Sequence, residues 1–313
     1  MLALHLAWLY NCRSGILDLN SAGTRAGIVV RQARERLYRI EAIVLKRQDF
    51  GEADRLLTVL TRERGKLRVV AKGARRTSSR KAGHVELFSQ SQMLLAKGRN
   101  LDIVTQAQAV QTYPALYDDL LRYTYASYMA ELVDKFLEED DAHPEVYDLL
   151  RESLAALVAE DSEARLALLM RFFEMRLLGL VGFQPALFHC AHCQTPLAAE
   201  DQYFSAMAGG VLCPNCRSLE ADALPLPLTT LKVARFIQTR DYPQVRTIAL
   251  SVEVQRDLER LLLRYLTHVL ERQLKSIEFL DQVRDLSSGT SENDLLLQNK
   301  RHGPTTVPET GVD

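Results

Sequence analysis

Four cysteines carry the clearest chemistry in the chain. Cys190 and Cys193 are separated by two residues, as are Cys213 and Cys216, and nineteen residues lie between the pairs. Zinc takes four thiolates tetrahedrally, and a two-residue gap lets both sulfurs of a pair reach one ion while the backbone turns between them. The segment Gln202 to Leu212 contains Tyr203, Phe204, Gly209 and Gly210, suited to a hairpin that returns the chain to the second pair. Four sulfurs close the coordination sphere, so one structural zinc ion is expected rather than a catalytic one with an open position. The alternatives are two unrelated dithiols, or ligation by His189 or His192 in place of a sulfur. The fifth cysteine, Cys12, stands alone, and a disulfide framework does not suit an intracellular chain of 313 residues.

The second chemical feature is charge. The net formal charge of −1 conceals a strong polarity. Residues 38–112 hold 15 basic and 7 acidic side chains, a net of +8, whereas residues 113–313 have a net of −12. The cations cluster at Arg62, Arg64, Lys66, Arg68, Lys72, Arg75, Arg76, Arg80 and Lys81, with Lys46, Arg47, Lys97 and Arg99 in the same region. Neutralising phosphates with such side chains releases counterions and supplies sequence-independent affinity for nucleic acid. Along residues 66–71, Lys66 and Arg68 share one strand face, with Leu67 and Val69 on the other, which places charge outward on a barrel wall. The same region has only Tyr38, Phe50 and Phe88 as aromatics. Single-strand binders that stack bases use aromatic platforms. Binding through the backbone is therefore expected, leaving base edges free to pair.

These groups need elements to position them. Arg39 to Lys46, Leu56 to Leu60, Leu67 to Ala71, Leu87 to Ala96 and Leu101 to Val110 read as five short strands. Turns are expected at Arg64-Gly65 and Gly98-Arg99-Asn100, and five strands in so short a span suit a small closed barrel. From Tyr113 the apolar period becomes helical. Helices are expected over Tyr117 to Glu139, Glu145 to Ala159, Ala164 to Leu180, Thr229 to Thr239 and Val252 to Ser276. The third carries an apolar stripe of Leu166, Leu169, Met170, Phe173, Leu177 and Leu180. Glu138 to Asp141 reads as a solvated linker. The domain organisation is then an extension over 1–37, a nucleic-acid-binding barrel over 38–112 and a helical domain over 113–188. A zinc-binding insert over 189–220, returning helices over 221–285 and a disordered tail over 286–313 follow. No apolar run approaches the roughly 18–20 residues that span a bilayer, and Met1 to Tyr10 lacks the features of a signal peptide. A cytoplasmic, nucleoid-associated protein with no membrane partner is expected.

No phosphate-binding loop, zinc-protease motif or nucleophile elbow is present, so binding rather than catalysis is expected. The residues Ala42-Ile43-Val44-Leu45, Gly51-Glu52-Ala53-Asp54-Arg55-Leu56, Gly65 and Ala71-Lys72-Gly73-Ala74-Arg75-Arg76 resemble the opening of the bacterial RecO recombination mediators. Leu177 to Pro185, running into the first cysteine pair, is similar to that family's junction between helix and zinc site. The resemblance covers residues 38–280. It implies an α+β multidomain protein with an N-terminal OB-fold β-barrel and an α-helical body carrying a four-cysteine zinc-binding insert. It also implies binding of single- and double-stranded DNA and annealing of complementary strands. Loading of RecA with RecR, onto strands coated by single-strand binding protein, is a further implication. Lys72, Arg75 and Arg76 match the family's basic loop. The competing readings are an RNA-binding or ribosome-associated protein, and an enzyme such as a nuclease or glycosylase.

Overall fold

The apolar run Ala42-Ile43-Val44-Leu45 is buried on both faces of its strand, and this double burial joins the two halves of the molecule. The computed structural model describes residues 36–270. The expectations for the N-terminal extension, for Cys12, for the end of the last helix at Ser276 and for the polar tail lie outside the described residues.

Strands β1 (Leu37–Phe50), β2 (Asp54–Thr61), β3 (Gly65–Ala71), β4 (Gln90–Ala96) and β5 (Asp102–Gln111) close a barrel in the order β1-β2-β3-β5-β4. A parallel contact of Val69 and Val70 with Asp102 and Ile103 completes the closure. The first half of β1 pairs with β4 and the second half with β2. A register shift between Val44 and Lys46 bends the strand from one partner to the other, as barrel closure requires. Alternate residues Ile40, Ala42 and Val44 point into the barrel core with Leu57, Val59, Leu67, Val69, Met93 and Leu95. The intervening Ile43 and Leu45, with Leu60 and Phe88, belong instead to the core of the helical body. Each such buried side chain contributes roughly 1.5–3 kcal/mol, against about 0–1 for an exposed ion pair. Apolar burial therefore fixes the barrel on the body.

The strand expected from Leu87 begins at Gln90 instead. Phe88 adopts φ 62°, its N–H donates to the Val44 carbonyl, and its ring meets Tyr123 edge-on at 5.6 Å in the body core. Pulling that ring out of the sheet delays the start of the strand.

The helix expected over Tyr117 to Glu139 is interrupted and shorter. Asp119 is extended and its carboxylate accepts hydrogen bonds from the Leu121 and Arg122 amides. This cap separates α1 (Ala115–Asp118) from α2 (Leu120–Phe136). Residues beyond α2 then run beside β3: the Asp140 N–H donates to the Lys66 carbonyl at 3.0 Å. The acidic stretch read as a solvated linker thus keeps its side chains exposed, while its backbone is docked on the barrel. A side chain at Gly65 would strike the Asp141 carbonyl, so this approach needs glycine.

The body continues with α3 (Pro144–Ala159) and α4 (Glu163–Leu180), followed by a small sheet of β6 (Gln202–Ser205), β7 (Gly210–Leu212) and β8 (Leu224–Leu226). Helices α5 (Leu228–Thr239), α6 (Tyr242–Val245) and α7 (Val252–Leu270) complete it. Helix α4 is central. Beyond the expected stripe it also buries Leu168, Arg171, Phe172, Glu174, Met175 and Leu178. Leu180, read as part of the stripe, is exposed because the helix end leaves the core there. No helix among the described residues is long and apolar enough to cross a membrane.

Candidate nucleic-acid interface and metal centre

Cys190, Cys193, Cys213 and Cys216 converge with all four sulfurs within 4.8 Å of one another, and Cys193 and Cys213 are 3.8 Å apart. Zinc–sulfur bonds of about 2.3 Å arranged tetrahedrally separate the sulfurs by about 3.8 Å, so the cluster fits such an ion. Backbone turns build each knuckle. Gln194, at φ 61°, donates to the Cys190 carbonyl, and Cys216 donates to the Cys213 carbonyl. The Cys213 amide donates to Cys190 Sγ at 3.4 Å. Hydrogen bonds from the Thr195 hydroxyl and amide lower the Cys193 thiol pKa to about 6. Burial and then the neighbouring sulfurs raise that of Cys216 to about 12. Thiols this close oppose one another's ionisation, a cost that a divalent cation between them removes. His189 and His192 are exposed and do not belong to the sulfur cluster.

The module rests on the body through its small sheet. Phe204 packs edge-on against Tyr265 of α7 at 5.7 Å. Asp222 accepts from the Ser205 hydroxyl and from the Ala206 and Met207 amides, shaping the turn between β6 and β7.

The thirteen cationic residues singled out on the barrel separate into two groups. Lys66, expected on an outward wall, is buried because the C-terminal half of α2 covers that part of β3. Its ammonium meets the Asp134 carboxylate at 3.1 Å and donates to the Asp134 carbonyl. Arg68 lies 3.8 Å from Glu139, and Arg62 pairs with Asp148 at 3.0 Å. Arg47 pairs with Glu86. Arg64 lies over the Tyr38 ring at 4.5 Å. Lys81 is half-buried, its Nζ donates to the Val104 carbonyl at 2.9 Å, and burial lowers its pKa. That contact covers part of the β5 edge that β3 leaves unpaired.

Lys46, Lys72, Arg76, Arg80, Lys97 and Arg99 are exposed and make no ion pair among the described residues. Lys72, Arg75 and Arg76 share the loop after β3, which is docked on the β1–β2 turn. The Gly73 N–H donates to Asp54 at 2.7 Å and the Arg75 N–H to the Ala53 carbonyl at 2.9 Å. The Arg75 guanidinium reaches Asp49 at 3.2 Å and the Gly51 and Glu52 carbonyls. Lys97 and Arg99 lie in the β4–β5 turn, where Asp102 accepts from the Gly98 N–H at 2.9 Å. Of the three barrel aromatics, Phe88 is in the body core and Tyr38 is tied to Asp102 and Arg64, while Phe50 is 46% exposed beside the docked loop. Sequence reasoning overlooked Arg39, an exposed cation on the outer face of β1 beside Gln92, Gln106 and Gln108. Its alternation with the inward Ile40 was the available signal.

Lys66→Ala is expected to lower unfolding stability by about 1–3 kcal/mol, from a lost buried charged hydrogen bond, and to leave nucleic-acid affinity unchanged. Urea unfolding and a binding titration measure the two effects. A weakened affinity with unchanged stability would contradict the burial.

Strand order β1-β2-β3-β5-β4 in a closed barrel is that of the OB-fold. Joined to a helical body with a tetracysteine knuckle pair, it defines the class: an OB-fold protein with a four-cysteine cluster that could hold a metal ion. Residues 35–113 match the family model described as recombination protein O N terminal, and residues 117–278 match recombination protein O C terminal. The chain is 42% identical over 253 residues to a DNA repair protein RecO of Roseiflexus sp. (strain RS-1), covering 81% of this chain and 88% of that protein. It is 35% identical over 260 residues to the DNA repair protein RecO of Pelotomaculum thermopropionicum, covering 83% of this chain and 100% of the relative. A third relative of that name, from Desulforudis audaxviator, is 39% identical over 251 residues, covering 80% of this chain and 99% of the relative. The chain belongs to the RecO family of DNA repair proteins.

Proposed function

We propose that this chain binds single- and double-stranded DNA through the rim of its barrel and anneals complementary strands. In that role it helps RecR load RecA onto DNA coated by single-strand binding protein, within the bacterial cytoplasm. It acts by binding rather than by catalysis, and zinc held by the four cysteines serves structure alone. The observation that carries this reading is the set of exposed cations that make no ion pair among the described residues: Lys72, Arg76 and Arg80 on the loop after β3, Lys97 and Arg99 between β4 and β5, and Lys46 on β1. Such a surface holds phosphates. With Phe50 as the sole open aromatic of the barrel, base edges stay free for a second strand.

Annealing of two labelled complementary strands, with and without single-strand binding protein and across a salt series, tests the proposal. Acceleration that fades steeply with salt is expected. Arg75→Ala with Arg76→Ala is expected to lower affinity about tenfold and to reduce the log–log salt slope by about 1–2. Retention of both affinity and slope in that double variant would count against the loop as the binding surface. Preferential binding of RNA of equal length would favour an RNA partner, and strand cleavage with Mg²⁺ would indicate an enzyme.

A further inference from the structure

Resting on the DNA-binding reading above, we infer that Asp54, an acidic residue, is a positioning residue for nucleic-acid binding, because it holds the cationic loop after β3 in place. An acid beside a phosphate-binding surface is unfavourable by charge alone. Asp54 nevertheless lies at the start of β2, against the docked loop that carries Lys72, Gly73 and Arg76. Its Oδ1 accepts from the Gly73 N–H at 2.7 Å. Gly73 sits at φ 67°, a conformation that glycine adopts without strain. This reversal turns the chain, so that Ala74 is buried in the barrel core while Lys72, Arg75 and Arg76 remain exposed.

The remaining contacts agree on the same pose. The Arg75 N–H donates to the Ala53 carbonyl and the Arg76 N–H to the Gly73 carbonyl, at 2.9 and 3.2 Å. The Arg75 guanidinium returns to Asp49 and to the carbonyls of Gly51 and Glu52. Arg75 therefore spends much of its hydrogen-bonding capacity within the protein. Lys72 and Arg76 make no ion pair among the described residues, and their pose depends on the Gly73 turn. The carboxylate of Asp54 acts through that turn and needs no contact with a phosphate.

The sign of the effect separates positioning from simple electrostatics. If Asp54 were a bystander charge, removing it would tighten DNA binding. If it positions the loop, Asp54→Ala releases the Gly73 amide and lets Lys72 and Arg76 disperse. Affinity for a single-stranded oligonucleotide is then expected to fall several-fold, and the log–log salt slope to drop by about 1. Asp54→Asn keeps an acceptor oxygen and removes the charge, so it is expected to bind as tightly as the parent protein or more tightly.

The experiment titrates a fluorescent single-stranded oligonucleotide into the full chain at several salt concentrations, with the parent, Asp54→Ala, Asp54→Asn and Arg76→Ala proteins. Weakening in Asp54→Ala and Arg76→Ala, with retention in Asp54→Asn, supports the inference. Weakening in Arg76→Ala alone, or tighter binding by Asp54→Ala, overturns it and leaves the DNA-binding loop standing. No effect of Arg76→Ala on affinity or slope overturns the binding role of the loop, and the inference with it. Should Asp54→Ala fail to fold, Asp54→Ser replaces it, since its shorter side chain falls short of the Gly73 amide.

Discussion

Chelation of zinc from the metal-loaded protein is expected to release one equivalent per chain and to unfold the two knuckles while the helical core persists. The knuckle module has little apolar content of its own. Its cluster of buried residues consists of Cys190, Leu212 and Cys216, flanked by partly buried neighbours such as Leu197 and Tyr203. Two of those three buried residues belong to the four-sulfur cluster that could hold the ion, so their packing is expected to loosen when it is removed. Structural zinc contributes about 10–16 kcal/mol in small finger peptides, far more than three buried side chains supply. Strands β6 and β7 are held differently. Phe204, Ala206 and Val211 belong to the large core of the body. Gly210 lies so close to Ala186 that a side chain there would clash. Loss of the ion therefore frees residues 190–196 and 213–219 and leaves the sheet docked. Hydrogen exchange with and without chelator, beside metal quantification, reads this directly. Cys213→Ser is expected to reproduce the result. Unfolding of the whole chain on chelation would show that the ion supports the body as well. Absence of bound zinc in protein folded with its thiols reduced would remove the metal from the account.

Glu174→Ala is expected to destabilise the chain by about 3–5 kcal/mol, the usual cost of removing one partner from a buried ion pair. Glu174 lies on α4 and is 1% exposed, and Arg171 one turn earlier is 5% exposed. The guanidinium Nε meets Glu174 Oε2 at 2.9 Å, and Nη2 donates to Oε1 at 3.0 Å. The Tyr128 hydroxyl of α2 donates to the same Oε1 at 2.8 Å, and Glu259 of α7 lies 3.9 Å from Arg171. Burial and then the Glu174 charge push the Tyr128 hydroxyl well above its ordinary pKa, so it stays a donor. Burial works against the charge on Arg171, but the two carboxylates more than offset that and raise its pKa. Removing Glu174 leaves Arg171 buried in the helical core with a carboxylate only at the longer distance, and takes the acceptor of Tyr128 away. Equilibrium urea unfolding gives the magnitude. Replacing both charges, with Arg171→Met and Glu174→Leu, is expected to restore part of the loss, since well-packed apolar pairs replace buried ion pairs at little cost, while the buried Tyr128 hydroxyl stays without the acceptor that Glu174 supplied. A loss below about 1 kcal/mol in Glu174→Ala would mean that water reaches the pair and screens it. DNA affinity of the folded protein is expected to be unchanged, because none of these groups belongs to the barrel.

Much of this molecule was legible before its coordinates, for identifiable reasons. The cluster of four sulfurs follows from local spacing. Two residues between cysteines is a distance that a tight turn closes by itself, and the hairpin between the pairs has its own glycines. The barrel strands follow from alternation, and α3 and α4 from their apolar period. The family follows from short motifs in order, two of which now have physical content. The Gly51-Glu52-Ala53-Asp54 turn and the Lys72-Gly73-Ala74-Arg75 loop hold one another through Asp54, Ala53 and Arg75. Element ends were harder to read. Asp119 sits inside an unbroken helical period and stops it by capping, and Phe88 leaves its strand for the ring of Tyr123, a partner 35 residues away in sequence.

Sequence by itself determined which side chains exist in each region, their local periods, and the closure of four thiols around one point, because these depend on neighbours along the chain. It determined the excess of positive charge on the barrel for the same reason. Which of those charges remain open was decided by tertiary structure alone. Lys66, Arg62 and Arg68 meet Asp134, Asp148 and Glu139 across a contact between distant segments. That contact exists because Ile43, Leu45, Leu60 and Phe88 bury their apolar surface in the body. Hydrophobic burial sets the docking, docking brings acids to one face of the barrel, and most of the cations left unpaired lie on the loops after β3 and between β4 and β5, with Lys46 and Arg39 on the open face of β1.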